Sequence, residues 1–128
     1  MYLVTGAAGF IGFHLSLKLL KNNDFVIGID NLNNYYDPKI KQDRLKILKG
    51  FKKFKFFKFD LNNKKLFSKK LSRYKNKIET IFHLAGQAGV RYSIINPSAY
   101  IRDNILSYVH LLEFFKNSKK IKLIIYAS

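Results

Sequence analysis

Tyr2-Leu3-Val4-Thr5-Gly6-Ala7-Ala8-Gly9-Phe10-Ile11-Gly12 is the stretch on which the fold turns. Tyr2–Thr5 reads as a short buried strand. Gly6, Gly9 and Gly12 follow at three-residue intervals. From about Phe10 the pattern becomes helical, with Ile11, Leu15 and Leu19 four apart on one face and Asn22-Asn23 as the stop. Glycine at such a turn admits backbone angles closed to other residues, and a missing Cβ lets phosphates reach the main chain. The helix start, here Phe10 and Ile11, offers free N–H groups and a partial positive charge. Strand, glycine turn and helix together predict a pyrophosphate cradle built from Gly6, Gly9, Phe10, Ile11 and Gly12.

Outward from this stretch, short apolar runs alternate with amphipathic ones, the pattern of a parallel sheet covered by helices. Phe25–Asp30 reads as the second strand and Asn31–Pro38 as a polar loop. Ile40–Leu48 reads as a helix stopped near Gly50. Phe51–Phe59, rich in Phe and Lys, suits an edge strand whose lysines discourage further pairing. Lys64–Leu71 reads as a short helix and Ile78–Leu84 as the fourth strand. Pro97 opens a long helix carrying Ile101, Ile105, Tyr108, Leu112 and Phe115 along one stripe, and Ile121–Ala127 is the fifth strand. The expectation is an α/β, Rossmann-type doubly wound sheet of five parallel strands in the order 3-2-1-4-5, incomplete at its C-terminal side. No repeat or linker divides residues 1–128, which read as one dinucleotide-binding domain.

Asp30 closes the second strand, 18 positions after Gly12. A carboxylate there accepts both hydroxyls of an adenosine ribose and repels a 2′-phosphate. Its neighbour is Asn31 and not Arg. The cofactor predicted is therefore NAD and not NADP.

The chain has 128 residues, no cysteine and a net charge of +16. Disulfides and thiolate metal sites are thus excluded. No apolar run approaches the about 20 residues needed to span a bilayer, and the opening residues lack a signal peptide's pattern. A cytoplasmic location is expected. Most of the charge lies between Lys41 and Lys77. It reads either as a nucleic-acid surface or as a solvated face in a lysine-rich composition. The 20 Lys against 4 Arg favour the second reading, because Arg is the residue that grips phosphates and bases bidentately. No specific nucleic-acid partner is expected. No metal constellation is present, and His14, His83 and His110 are too dispersed to form one.

The spacing TGAAGFIG resembles the extended short-chain dehydrogenase/reductase family, the NAD-dependent epimerases and dehydratases. Phe59-Asp60-Leu61 matches its acidic residue after the third strand. The resemblance implies that Asp60 bonds the adenine amine while Leu61 packs on the ring. His83-Leu84-Ala85-Gly86 matches the motif after the fourth strand, implying that Leu84, Ala85 and Gly86 pass beside the cofactor. Asn104 looks like the family Asn that helps hold the site. Gly28-Ile29-Asp30-Asn31-Leu32-Asn33-Asn34-Tyr35-Tyr36-Asp37 with Arg44-Leu45, and Gln87-Ala88-Gly89-Val90-Arg91-Tyr92-Ser93 with Asn96-Pro97, are similar to loops of UDP-glucuronate 4-epimerases. Gln87 and Arg91 would then face a UDP-sugar substrate. Arg91 meets a uronate carboxylate or diphosphate oxygen, or else holds its own loop. Related epimerases and dehydratases of other sugar nucleotides share this half, and a non-catalytic NAD-binding module is the alternative.

In that family a Ser or Thr and a Tyr-x-x-x-Lys motif just after the fifth strand carry the chemistry. By motif alignment Ala127 and Ser128 reach the cofactor side, and Ser128 precedes the catalytic hydroxyl residue. No catalytic residue is therefore assigned, and the 128 residues alone are expected to be inactive. The one Tyr-x-x-x-Lys present, Tyr35 to Lys39, falls on the adenosine side and reads as coincidence. The resemblance also implies a homodimer, with the long helix as its face. Ile121–Tyr126 is expected to be an unpaired apolar edge, and the isolated chain to be poorly soluble.

Overall fold

The computed structural model describes residues 1–128. Five parallel strands, β1 (Tyr2–Thr5), β2 (Val26–Asp30), β3 (Phe54–Lys58), β4 (Thr80–His83) and β5 (Leu123–Tyr126), form one sheet in the order β3-β2-β1-β4-β5. The helices are α1 (Phe10–Lys21), α2 (Pro38–Lys49), α3 (Lys64–Leu71), α4 (Val90–Ile95), α5 (Pro97–Tyr100) and α6 (Ser107–Phe115). This is the doubly wound arrangement expected. β1 coincides with its expected run and β2 begins one residue inside its own, while β3, β4 and β5 begin two or three residues inside theirs and end one residue early.

Side chains alternate across each strand, so neighbouring residues feed opposite layers. Leu3, Ile27, Ile29 and Ile81 join Phe67, Leu71, Leu111 and Phe115 beneath α3 and α6. Val4 and Val26 join Phe13, Leu20, Leu45 and Leu48 beneath α1 and α2. Each fully buried Leu, Ile or Phe of these layers contributes about 1.5–3 kcal/mol of transfer free energy. The lysine-rich edge is partly a packing device: Lys53 Nζ lies 4.9 Å from the Phe25 ring centroid and Lys49 Nζ 5.6 Å from that of Phe56. Lysine stems thereby shield aromatic surface while their heads stay in water.

Two helical faces differ from the sequence pattern. α1 buries Gly12, Phe13, Ser16 and Leu20 and leaves Ile11 62% exposed. The reason lies at Gly12, where any Cβ would run into the Gly6 carbonyl. Only a rotation that lays Gly12 on the turn lets the helix approach, so its neighbour Ile11 faces outward. In the long helix, Ile101–Leu106 forms wider π-helical turns between α5 and α6. A wider turn takes up more residues per revolution, so a four-residue repeat drifts off one face. Of the expected stripe Phe115 is buried and Tyr108 half-buried, while Ile101, Ile105 and Leu112 are exposed and Ser107, His110 and Leu111 are buried in their place.

Candidate functional site

Parallel pairing brings the carboxyl ends of the strands to one rim, with Thr5 opposite both Ile29 and His83. The chain leaves β1 towards β2 on one side and reaches β4 on the other, so a crevice opens above β1. A cleft of about 310 Å³ lies there, lined among others by Gly6, Gly9, Asp30, Asn31, Asp60, Leu61, Leu84, Ala85, Gly86 and Gln87. The structure therefore gathers most of the residues singled out by sequence.

Its floor is the glycine turn. Gly6 has φ +68°, a left-handed conformation, and a Cβ there would lie 2.9 Å from the main chain of Leu84 and Ala85. α1 begins at Phe10, directly after Gly9, with no side-chain cap and no acidic residue in its first turn. Its leading N–H groups are thus left for an anion. Phe10 and Ile11 contribute main chain only, for their side chains are 67% and 62% exposed.

Asp30 is 7% exposed and does two jobs. Its Oδ2 accepts from the Ala8 N–H at 3.1 Å and its Oδ1 from the Leu32 N–H at 2.8 Å. The carboxylate therefore pins the glycine turn as well as its own loop. Each oxygen keeps a further lone pair for a ribose hydroxyl. Asp60 accepts from Asn31 Nδ2 at 3.2 Å and from the Asn62 N–H at 2.9 Å. Burial works to raise its pKa, but these hydrogen bonds and the Arg102 charge outweigh it and hold the carboxyl below its ordinary value.

On the opposite wall, Thr5 Oγ1 accepts from the N–H groups of Leu84 and Ala85, both at 3.1 Å. Asn104 Oδ1 accepts from the Gln87 N–H at 2.6 Å, and its Nδ2 donates to the Gln87 carbonyl at 3.1 Å. Asn104 thus holds the Gln87 main chain. His83 is 5% exposed, and burial lowers its pKa to about 4. It is a neutral packing residue. His110 is also buried, whereas exposed His14 lies edge-on to Phe10 and Phe13. No three metal-binding side chains come together.

Three predicted residues lie away from the cleft. Arg91 sits on the outside of α4, exposed and without a hydrogen bond or ion pair, so it neither lines the cleft nor holds its loop. Placing positions 90–95 in a helix turns it outward. Ala127 and Ser128 are exposed beyond β5, although the Ala127 N–H bonds the His83 carbonyl at 3.1 Å. Of the Tyr35–Lys39 pair, Tyr35 lines the cleft but Lys39 is exposed outside it.

Two residues were not recognised as site residues from sequence. Lys41 is 5% exposed; its Nζ donates to Asn33 Oδ1 at 2.6 Å and stands 3.9 Å from Asp30 Oδ1. Burial lowers its pKa, with Asp30 opposing and Arg44 adding to the fall. Lys41 shares the buried face of α2 with Leu45 and Leu48, a spacing visible in the sequence. Arg44 Nη1 donates to the Ala8 carbonyl at 3.2 Å and to the Tyr36 hydroxyl at 3.1 Å, tying the glycine turn to the loop above it.

The model of the GDP-mannose 4,6 dehydratase family matches residues 3–128. An uncharacterised protein of Methanocaldococcus jannaschii is 46% identical over 98% of this chain and 38% of its own length. UDP-glucuronate 4-epimerase 1 of Arabidopsis thaliana is 44% identical over 98% of this chain and 29% of its own length. The solved UDP-glucuronic acid 4-epimerase of Bacillus cereus, in complex with UDP-glucuronic acid and NAD, superposes with a TM-score of 0.84 at 38% identity, over 98% of this chain and 38% of that one. The chain thus spans between 27% and 38% of the length of the relatives it matches. A strand order of 3-2-1-4-5, a glycine cradle beneath a buried Asp30 and a match over residues 3–128 agree: the chain belongs to the GDP-mannose 4,6 dehydratase family of NAD-dependent epimerases and dehydratases.

Proposed function

We propose that this chain is the NAD-binding portion of a UDP-glucuronate 4-epimerase, an enzyme that interconverts UDP-glucuronate and UDP-galacturonate. One observation carries the reading. A side-chain-free cradle at Gly6 and Gly12 adjoins a carboxylate, Asp30, buried at the end of β2. Relatives solved with NAD and a UDP-sugar support the cofactor and substrate class.

NAD, when bound, supplies a reversible hydride acceptor for the sugar C4 position. The chain's own residues bind and orient it. Gly6, Gly9 and the start of α1 take the pyrophosphate, Asp30 with Asn31 takes the adenosine ribose, and Asp60 with Leu61 takes the adenine. Leu84–Gly86, held by Thr5 and Asn104, form the wall beside the nicotinamide, and Gln87 stands at the sugar end. A UDP-sugar substrate, a homodimer and a cytoplasmic setting belong to the same proposal. The exposed apolar side chains Ile101, Ile105, Val109 and Leu112 support the dimer.

The test is thermal unfolding of the purified chain with and without NAD, because a ligand that binds only the folded state raises its melting temperature. A rise with NAD that exceeds the rise with NADP is expected. No shift at millimolar NAD overturns the reading. The 128 residues by themselves are expected to give no turnover of UDP-glucuronate, since the one Tyr-x-x-x-Lys among them, Tyr35 to Lys39, leaves Lys39 exposed outside the cleft.

A further inference from the structure

The loop following β2 and the segment following β4 rise from opposite ends of the cleft, yet they meet. The Tyr35 ring lies 5.9 Å from that of Tyr92, tilted by 55°. The Tyr92 ring in turn lies 6.2 Å from that of Tyr100. Gly89 has φ +98°, and a Cβ built on it would run into the Tyr35 hydroxyl. Tyr100 fixes this wall by donating its hydroxyl to the Ala88 carbonyl at 2.9 Å, with the Gly89 carbonyl also in reach.

The near side is anchored just as firmly at the loop's base. Asn33 is held by Lys41, Tyr36 by Arg44, and Asp37 caps α2 through the Lys39 N–H at 2.9 Å. Tyr35 stands between these anchors. It is 48% exposed, forms no hydrogen bond, and is the one ring of its loop in aromatic contact with the far wall. It lines the same cleft as Asp30 and Gly86. A ligand reaching from the ribose end to the Gly86 end therefore crosses the part of the cleft that Tyr35 covers.

We propose that Tyr35 is a positioning residue that straps the dinucleotide into the cleft by closing onto Tyr92 and Gly89. This inference rests on the NAD reading above. An aromatic contact without a hydrogen bond closes the cleft while still opening for exchange. Retention has a chemical use, because the proposed reaction borrows a hydride and returns it to the same sugar. Release of the cofactor between those two halves aborts the cycle. Tyr35 and Tyr92 thus act on how long the cofactor stays and hardly on how it enters.

The experiment uses the whole 128-residue chain loaded with NADH and chased with excess NAD, release being followed by NADH fluorescence. Tyr35→Ala is expected to speed release about tenfold, the order lost with one aromatic pair and the area it covers, with association changed less than about twofold. Tyr35→Phe keeps the ring and is expected to stay within about twofold of the parent. Tyr92→Ala removes the opposing ring without touching the loop near Asp30 and is expected to match Tyr35→Ala. If Tyr35→Ala and Tyr92→Ala release NADH at the parental rate, the strap is overturned while the NAD reading stands. If the parent chain binds no NADH, both fall.

Discussion

Thr5 and His83 face each other across β1 and β4, and the threonine hydroxyl gives its proton to His83 Nδ1 at 2.9 Å. The direction follows from counting. Both lone pairs of Thr5 Oγ1 are taken by the Leu84 and Ala85 N–H groups, so its one proton is left for the imidazole. His83 must then carry its own proton on Nε2. One hydroxyl thereby sets the distance between the glycine turn and the wall that follows β4. Thr5→Val removes it at constant volume and leaves two half-buried N–H groups and a buried ring nitrogen without their partner. The expected loss is about 2–4 kcal/mol in urea unfolding, with Thr5→Ser retaining most of the stability.

The same pair makes stability depend on pH. Unfolded, His83 takes up a proton near the ordinary histidine value of 6.5; folded, it does so only at about 4, because burial penalises the charged ring. Its contribution is fully present above pH 6.5 and is lost as the pH falls through the interval between these values, flattening below about 4. The shift corresponds to roughly 3 kcal/mol as an order of magnitude. Urea midpoints between pH 7 and pH 4 should show this decline, and His83→Gln should flatten it. An unchanged slope in that variant would show that His83 is not the source of the decline.

The fold was legible because its signals are local. A strand, three spaced glycines and a helix dictate the first unit, and Asp30 follows at the separation a dinucleotide requires. What escaped the sequence were consequences of packing. The rotation of α1 is decided by the absent side chain of Gly12 against Gly6, and the four-residue repeat through Ile11 points elsewhere. The π-helical turns at Ile101–Leu106 likewise shift the buried stripe, which no apolar repeat records. Arg91 carried the right chemistry for a uronate, but a helical turn at Val90–Ile95 aims it at solvent. Lys41 was hidden among many lysines, although its register with Leu45 and Leu48 marks it as inward-facing.

Gly12→Ala separates a helix effect from a cradle effect. In an ordinary helix interior this change stabilises by about 1 kcal/mol. Here the added methyl meets the Gly6 carbonyl and lies 3.0 Å from the Ala7 Cα, so α1 must lift off the turn. Net destabilisation of about 1–3 kcal/mol is expected, together with loss of the NAD-dependent thermal shift. A variant as stable as the parent would show that α1 does not press on the turn.

Asp30→Asn tests whether charge or geometry holds the ribose. The amide keeps an acceptor for one of the Ala8 and Leu32 N–H groups but presents N–H to the other. A stability loss of about 1–2 kcal/mol is expected, with NAD affinity reduced about tenfold or more, because acceptors for the ribose hydroxyls are lost. Isothermal titration would measure it, and NADP serves as the contrasting ligand. Removing the carboxylate charge should narrow the preference for NAD over NADP; a preference left at its parental size would show that Asp30 does not exclude the 2′-phosphate.

Association is the remaining consequence of the exposed surfaces. On β5, Leu123, Ile125 and Tyr126 are 51%, 41% and 56% exposed, and the strand pairs only with β4. Its free edge therefore offers main-chain hydrogen bonds flanked by apolar side chains, the arrangement that recruits another strand. Ile101, Ile105, Leu106 and Val109 add a second apolar surface on the long helix. The 128-residue chain is accordingly expected to run in gel filtration as concentration-dependent oligomers. Ile125→Lys places a charge on the strand edge and should shift the profile towards monomer, whereas Ile105→Glu tests the helix. If the first variant alone restores a monomer, the sheet edge is the sticking surface; if only the second does, the helix is. A parent chain that elutes as a monodisperse monomer at every concentration would contradict both.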